Sequence, residues 1–132
     1  MILKKEERDA LVTLRLQRTK ETIDELKSNM QLGYWRIAAN RLYYACYYAV
    51  SALLIKNNIT THTHSGVMNQ LSLHFINKGL LTKEHGRLFK GLYELRQDGD
   101  YSDWKVIREE DITPLLEPVQ KFIEDIENLI NT

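Results

Sequence analysis

The sequence has few of the residues that cross-link small proteins or interrupt helices. A single cysteine, Cys46, excludes an internal disulfide framework and fits a reducing compartment. With two prolines and six glycines, long stretches are free to form helices. No apolar run approaches the roughly 20 residues that span a bilayer, and charged residues interrupt the N-terminal segment. We therefore expect a cytoplasmic protein without a membrane span, folded as one domain over residues 1–132.

The net charge is zero, but the charges are unevenly distributed along the chain. Residues 1–32 carry a net charge of +1, residues 33–96 carry +6, and residues 97–132 carry −7. A dedicated duplex-binding domain is usually basic overall, so broad binding to duplex nucleic acid is disfavoured. Recognition of a phosphate, a nucleotide or a short single strand fits the basic middle segment.

Hydrophobic spacing predicts an all-α fold, an antiparallel up-and-down helical bundle of about five helices. The helices are expected at residues 3–30, 34–56, 65–77 and 82–99, with a last helix that starts near Thr113–Pro114, or after a short turn near Glu117–Pro118. The second segment is rich in alanine and aromatic residues and nearly free of charge. We therefore expect it to be the central and most buried helix.

Particular residues suggest where these helices begin and end. Ser65 and Thr82 are good cap residues for the third and fourth helices. Gly99 is expected to weaken or end the fourth helix. Trp104 and Ile107 are expected to anchor a charged connection over residues 100–112.

The segment Glu94–Tyr101 surrounds one arginine with three acids and a tyrosine. Arg96 lies one turn after Leu92, so its side chain starts from the edge of the apolar face. A guanidinium there suits recognition of phosphate or carboxylate, because it makes paired, charge-assisted hydrogen bonds. The alternative, which composition alone favours, is an ion pair of Arg96 with Glu94, Asp98 or Asp100.

Four tyrosines occupy six positions of the second helix, at residues 43–48. Arg41, Tyr44 and Tyr48 fall on one face at i, i+3 and i+7 spacing. Buried hydroxyls need hydrogen-bond partners, so this face could form a polar pocket or a subunit interface. An aromatic core whose hydroxyls reach the surface is the alternative.

His64, Ser65 and Gly66 stand where the third helix should begin. Free backbone amides, a hydroxyl and an imidazole can hold an anion there, although an ordinary cap is the simpler interpretation. The histidine spacing and the lone cysteine do not predict a metal site, and no cofactor is expected.

These three motifs, in this order, resemble those of prokaryotic HEPN domains, specifically the small stand-alone HEPN proteins. The resemblance rests on Ala39–Ala45, on His64–Val67 and on Leu95–Tyr101, and covers roughly residues 10–130. It implies an antiparallel helical bundle that is commonly dimeric and often paired with a small nucleotidyltransferase. It also implies a setting in toxin–antitoxin or defence systems, in which many members are ribonucleases.

The family signature is an arginine followed four to six residues later by a histidine. Carried onto this chain, the arginine is Arg96, the next polar residue is Gln97, and the histidine position holds Tyr101. A tyrosine has a reference pKa near 10 and is a poor base, whereas a histidine titrates near neutrality. His62 or His64 could replace it only if the fold brings one of them near Arg96.

The leading hypothesis is a homodimeric domain that binds a nucleotide or single-stranded RNA. Its candidate catalytic residues are Arg96 and Tyr101. The candidate ligand-binding residues are Arg41, Tyr44, Tyr48, His64, Ser65, Gln97, Asp98 and Asp100. Two alternatives stay open: a metal-independent ribonuclease toxin, and a non-catalytic helical interaction module.

Overall fold

The first two helices form a long hairpin. The computed structural model describes residues 3–132, in which α1 spans Lys5–Gln31 and α2 spans Trp35–Lys56. Gly33 has a φ of 75°, a left-handed conformation that glycine adopts without strain, and it forms the tight turn between the two helices. Val12, Thr19 and Leu26, spaced seven residues apart along α1, are buried against the rest of the bundle.

Helix α2 lies at the centre of the bundle, as the sequence predicts. Helix α1 and two helices from the second half of the chain pack against it, and eleven of its residues are buried. Ala38, Ala45, Ala49 and Ala52 are fully buried, and these small side chains allow the neighbouring helices to approach α2 closely. The thiol of Cys46 is also fully buried, and burial raises its pKa.

The third helix is shorter as an α-helix than predicted. Helix α3 spans His64–Leu71 and continues as a π-helical turn over Ser72–Ile76. Its cap is Thr63 rather than Ser65, because the Thr63 hydroxyl accepts a hydrogen bond from the Gly66 amide at 2.9 Å. The prediction of Ser65 as the cap is therefore wrong by two residues.

Helix α4 spans Lys83–Tyr101 and begins at the predicted cap, Thr82. The predicted end at Gly99 is wrong, because the helix continues past this residue. Gly99 is buried, and a Cβ built on it would lie 3.6 Å from the Arg36 carbonyl oxygen of α2. Tight packing between the two helices therefore holds the last turn in helical form despite the glycine.

The connection after α4 contains a short helix, α5, over Glu109–Ile112, followed by a 3₁₀ turn over Thr113–Leu115. Helix α6 then spans Leu116–Ile130, close to the second of the two predicted starts. Ile107 is buried as predicted, but Trp104 is 95% exposed, so its predicted anchoring role is wrong.

The all-α helical bundle is confirmed, and residues 3–132 contain no strand. None of the helices in this part of the chain is long and apolar enough to cross a membrane.

Candidate functional site

The guanidinium of Arg96 lies inside a cluster of tyrosines contributed by α2 and α4. Arg96 is only 6% exposed, and its central guanidinium carbon lies 5.3 to 5.8 Å from the centroids of four rings. These rings, together with that of Tyr47 beside them, are called the tyrosine cluster: Tyr43, Tyr44, Tyr47, Tyr93 and Tyr101. The π faces of tyrosines attract a cation, so the cluster stabilises a charge that is largely removed from water.

The acids near Arg96 satisfy little of its hydrogen-bonding capacity. One terminal nitrogen of Arg96 lies 3.7 Å from Asp100 Oδ2 and donates a long, 3.4 Å bond to the Tyr44 hydroxyl. Asp100 accepts a shorter bond of 3.0 Å from the amide of Asn40. The Nε–H of Arg96 is buried and has no hydrogen-bond partner among the described residues. A strong ion pair with its own acids therefore does not describe this arginine.

His64 belongs to the same cluster, although it is distant from Arg96 in sequence. Its ring packs against three tyrosines that also contact Arg96: Tyr43, Tyr44 and Tyr93. The Tyr43 hydroxyl lies 2.8 Å from Nδ1 of His64. Because α3 begins at His64, the start of that helix places an imidazole among the rings that surround Arg96.

Burial and the Arg96 charge control titration in this cluster. Burial lowers the pKa of His64 from its usual 6.5, and the positive charge of Arg96 lowers it further. Burial raises the pKa of Tyr43 and of Tyr44, and Arg96 opposes both shifts. At neutral pH the Arg96 guanidinium therefore lies beside a neutral His64 imidazole and the neutral hydroxyls of Tyr43 and Tyr44.

A groove of about 200 Å³ opens beside the cluster. His64 and Ser65 from α3 form one side of it, and Phe89, Lys90 and Tyr93 from α4 form another. The groove is therefore an open, largely aromatic recess with a lysine and an imidazole on its walls.

The other predicted residues of α2 lie at the edge of the cluster. The Arg41 guanidinium lies 5.5 Å from the Tyr44 ring, but it is paired with Glu25 at 2.9 Å and also donates to Asn40. Tyr48 packs 5.9 Å from Tyr44. Arg41 is thus close to the site with its charge already paired.

The remaining predicted residues of α4 have separate roles. Gln97 donates a 2.7 Å hydrogen bond to the Tyr93 hydroxyl and so orients that ring. Asp98 Oδ2 lies 3.7 Å from Lys105 Nζ, whereas the ion pair of Arg96 among the described residues is with Asp100. Tyr101 is 71% exposed, with its ring still 5.8 Å from the Arg96 guanidinium.

Four residues of the site were absent from the predicted set: Asn40, Tyr43, Tyr47 and Tyr93. Tyr93 precedes Arg96 by three residues, so helical spacing could have placed them together. Tyr43 is 1% exposed and is stacked on Phe89 at 5.6 Å, and its sequence pattern is that of a core residue. Only the pairing of α2 with α4 shows that its ring also contacts the arginine.

Metal-binding groups are not clustered in the described residues. Over residues 3–132, no group of three or more His, Cys, Asp and Glu side chains is placed to hold a metal ion.

Comparison with known proteins gives the family. The model of the family described as "HEPN domain" matches residues 12–129. A "UPF0332 protein" of Thermotoga maritima is 31% identical over 124 residues, which is 94% of each chain. "Putative toxin MJ0605" of Methanocaldococcus jannaschii is 27% identical over 98% of this chain and 95% of its own length. A second protein of that organism, "Putative toxin MJ0142", is 26% identical over 82% of this chain and 74% of its own length. The chain belongs to the HEPN domain family.

Proposed function

We propose that this HEPN domain protein binds the phosphate of a nucleotide or of single-stranded RNA at Arg96. The observation that carries the proposal is the buried guanidinium with a partner-free Nε–H inside a ring of tyrosines. An arginine held in this way has unused donors in a fixed planar arrangement that matches phosphate oxygens. The aromatic rings beside it provide surfaces on which bases of any sequence can stack.

The setting we propose is that of a toxin-type system in the cytoplasm. Two relatives that align with most of this chain carry the word toxin in their names. A nucleotidyltransferase is the proposed protein partner, on the strength of the family resemblance. Co-purification of the chain with the product of an adjacent nucleotidyltransferase gene would test this part of the proposal.

Isothermal titration with uridine monophosphate and short oligouridines tests the binding proposal. We expect binding by the wild type and loss of binding in Arg96→Met, which keeps the volume of the side chain but removes its charge. Arg87→Met is the matched control, because Arg87 lies on the same helix, is exposed, and pairs with Glu84. Binding that Arg96→Met leaves unchanged, or that Arg87→Met weakens equally, would contradict the proposal.

A metal-independent ribonuclease is the second candidate, and the position of His64 favours it. The histidine position of the family signature holds Tyr101, but His64 contacts three of the rings that surround Arg96. Its lowered pKa keeps the imidazole neutral at pH 7 and able to accept the proton of a ribose 2′-hydroxyl. Arg96 would stabilise the negative charge that develops on the phosphate.

Cleavage of single-stranded RNA in EDTA tests this candidate. His64→Gln should slow cleavage by roughly 100-fold or more, the usual contribution of a positioned acid or base. Glutamine can still hydrogen-bond the Tyr43 hydroxyl, so the fold of the site should be kept. Cleavage that persists at the wild-type rate in His64→Gln would show that His64 is not the proton carrier.

We also propose that the protein is a homodimer. Tyr101, whose ring lies beside Arg96, is 71% exposed, and Trp104 and Val106, which follow it in the chain, are 95% and 68% exposed. Burying them against a second copy would remove apolar surface from water. Light scattering during gel filtration should give twice the monomer mass of 15.5 kDa, and Trp104→Asp should shift the protein toward the monomer.

A further inference from the structure

A second cavity lies on the α1 side of the tyrosine cluster. The described residues bound a volume of about 260 Å³ between α1, α2 and the loop that follows α2. Its polar lining consists of Arg15, Tyr47, Ser51, Asn58, Thr60 and Thr61. Hydroxyl, amide and guanidinium groups therefore converge on a space large enough for a phosphate and part of a sugar.

Arg15 repeats the key feature of Arg96. The Nε atoms of Arg15 and Arg96 are the two buried side-chain polar atoms without a hydrogen-bond partner within residues 3–132. A buried N–H that lacks an acceptor costs free energy, so such a group commonly marks a site that a ligand completes. Neither Arg15 nor Arg18 takes part in an ion pair with the residues that the structure describes.

The tyrosine cluster connects the two arginines. Tyr47 lines the Arg15 cavity. The centroid of its ring lies 4.9 Å from that of His64 and 5.7 Å from that of Tyr44. The Tyr44 ring in turn contacts Arg96. On the neighbouring side, the Arg18 guanidinium lies 5.4 Å from the ring of Tyr48. Cations are therefore present at both ends of a continuous row of half-buried rings.

We propose that the Arg15 cavity, with Arg18 beside it, binds a second phosphate of a single-stranded RNA whose first phosphate lies at Arg96. This inference rests on the proposed function and narrows it, since the substrate becomes an RNA strand and not a mononucleotide. Bases between the two phosphates stack on Tyr44, Tyr47 and Tyr48, the arrangement of cations and aromatic rings by which proteins hold single strands without sequence preference.

Affinity measured against RNA length and salt concentration tests the inference. A uridine hexanucleotide should bind the wild type more tightly than uridine monophosphate. Arg15→Ala should weaken hexanucleotide binding by about tenfold, the loss of one charge-assisted hydrogen bond. It should also reduce the slope of log K against log salt by about 0.7, the value for one phosphate of a single strand. Binding of uridine monophosphate should stay at the wild-type level.

Control variants separate this inference from the function on which it rests. Lys20→Ala removes an exposed charge from the same helix at a position that lines neither cavity, and should leave the slope unchanged. Arg15→Lys keeps the positive charge, so it should keep most of the wild-type slope of log K against log salt. If Arg15→Ala fails to fold, Arg18→Ala changes an exposed residue and should still reduce the slope.

Three outcomes would overturn the inference. In the first, the hexanucleotide binds no more tightly than uridine monophosphate. In the second, Arg15→Ala leaves hexanucleotide binding unchanged while Arg96→Met abolishes it; only the second phosphate site then fails. In the third, the wild type binds neither ligand, and the proposed function fails as well.

Discussion

Replacement of Arg96 by methionine separates a functional arginine from a structural one. The guanidinium contacts four tyrosine rings at 5.3 to 5.8 Å, close to the outer limit for cation–π attraction, so these contacts contribute about 2 kcal/mol together. Against this, removing the guanidinium from water, including its partner-free Nε–H, costs several kcal/mol. The ion pair with Asp100 is long, at 3.7 Å, and offsets little of that.

The unfavourable contributions exceed the favourable ones, so Arg96→Met should stabilise the ligand-free protein by about 1 kcal/mol. For a chain of 132 residues, the midpoint of thermal unfolding should rise by about 4 °C. Methionine fills the space of the aliphatic stem, whereas alanine would leave a cavity and obscure the effect. Thermal unfolding by circular dichroism measures the change, and the same scans with uridine monophosphate should stabilise the wild type alone.

A destabilisation of about 2 kcal/mol or more in Arg96→Met would refute this reasoning. It would show that Arg96 stabilises the fold, as expected if the chain is a non-catalytic interaction module. Arg87→Met, on the exposed side of α4, provides the reference for a change of the same chemistry without burial.

Three further predictions concern stability. The pKa of His64 is lowered in the folded state, so as pH falls the unfolded chain binds a proton at His64 before the folded chain does. The free energy of unfolding of the wild type should therefore fall as pH drops below about 6.5. Urea titrations across this range should show that His64→Gln lacks this part of the loss. Gly91 is exposed within α4, and no atom lies within 4 Å of a Cβ built on it. Gly91→Ala should therefore raise the free energy of unfolding by about 0.5–1 kcal/mol. A decrease would contradict the described packing around this position. His85 accepts a hydrogen bond from the Thr82 amide at 3.0 Å, and its other ring nitrogen is hydrogen-bonded to Asp125 at 2.9 Å. His85→Ala should therefore lower the urea midpoint by the equivalent of about 1–3 kcal/mol. An unchanged midpoint would show that these two hydrogen bonds do not contribute to stability.

The sequence predicts the helices well because each buries an apolar face with regular spacing. The central position of α2 was predictable because its segment carries almost no charge. Its fully buried alanines agree with that position. The end of α4 was mispredicted because glycine lowers helix propensity by only about 1 kcal/mol, and burial of this last turn against α2 offsets that cost. Trp104 was mispredicted because a large aromatic residue is normally buried, whereas this one is exposed to solvent.

The site was partly predictable for a related reason. Arg96 stands out by its position at the rim of an apolar stripe among acids, a local pattern. The contact of Tyr43 with both His64 and Arg96 depends on which helices pair, and one sequence carries no information about pairs 21 and 53 residues apart. The involvement of Asn40, through its bond to Asp100, is hidden for the same reason.

Because the single cysteine is completely buried, its reactivity can report local opening of the bundle around α2. Cys46 lies in the middle of α2 with no exposed surface, and burial disfavours its thiolate, so a thiol reagent can modify it only after the central helix separates from its neighbours. The rate of single-site alkylation would then measure how often the innermost helix is released. The native fold itself shields that sulfur from oxidation and from intermolecular cross-linking.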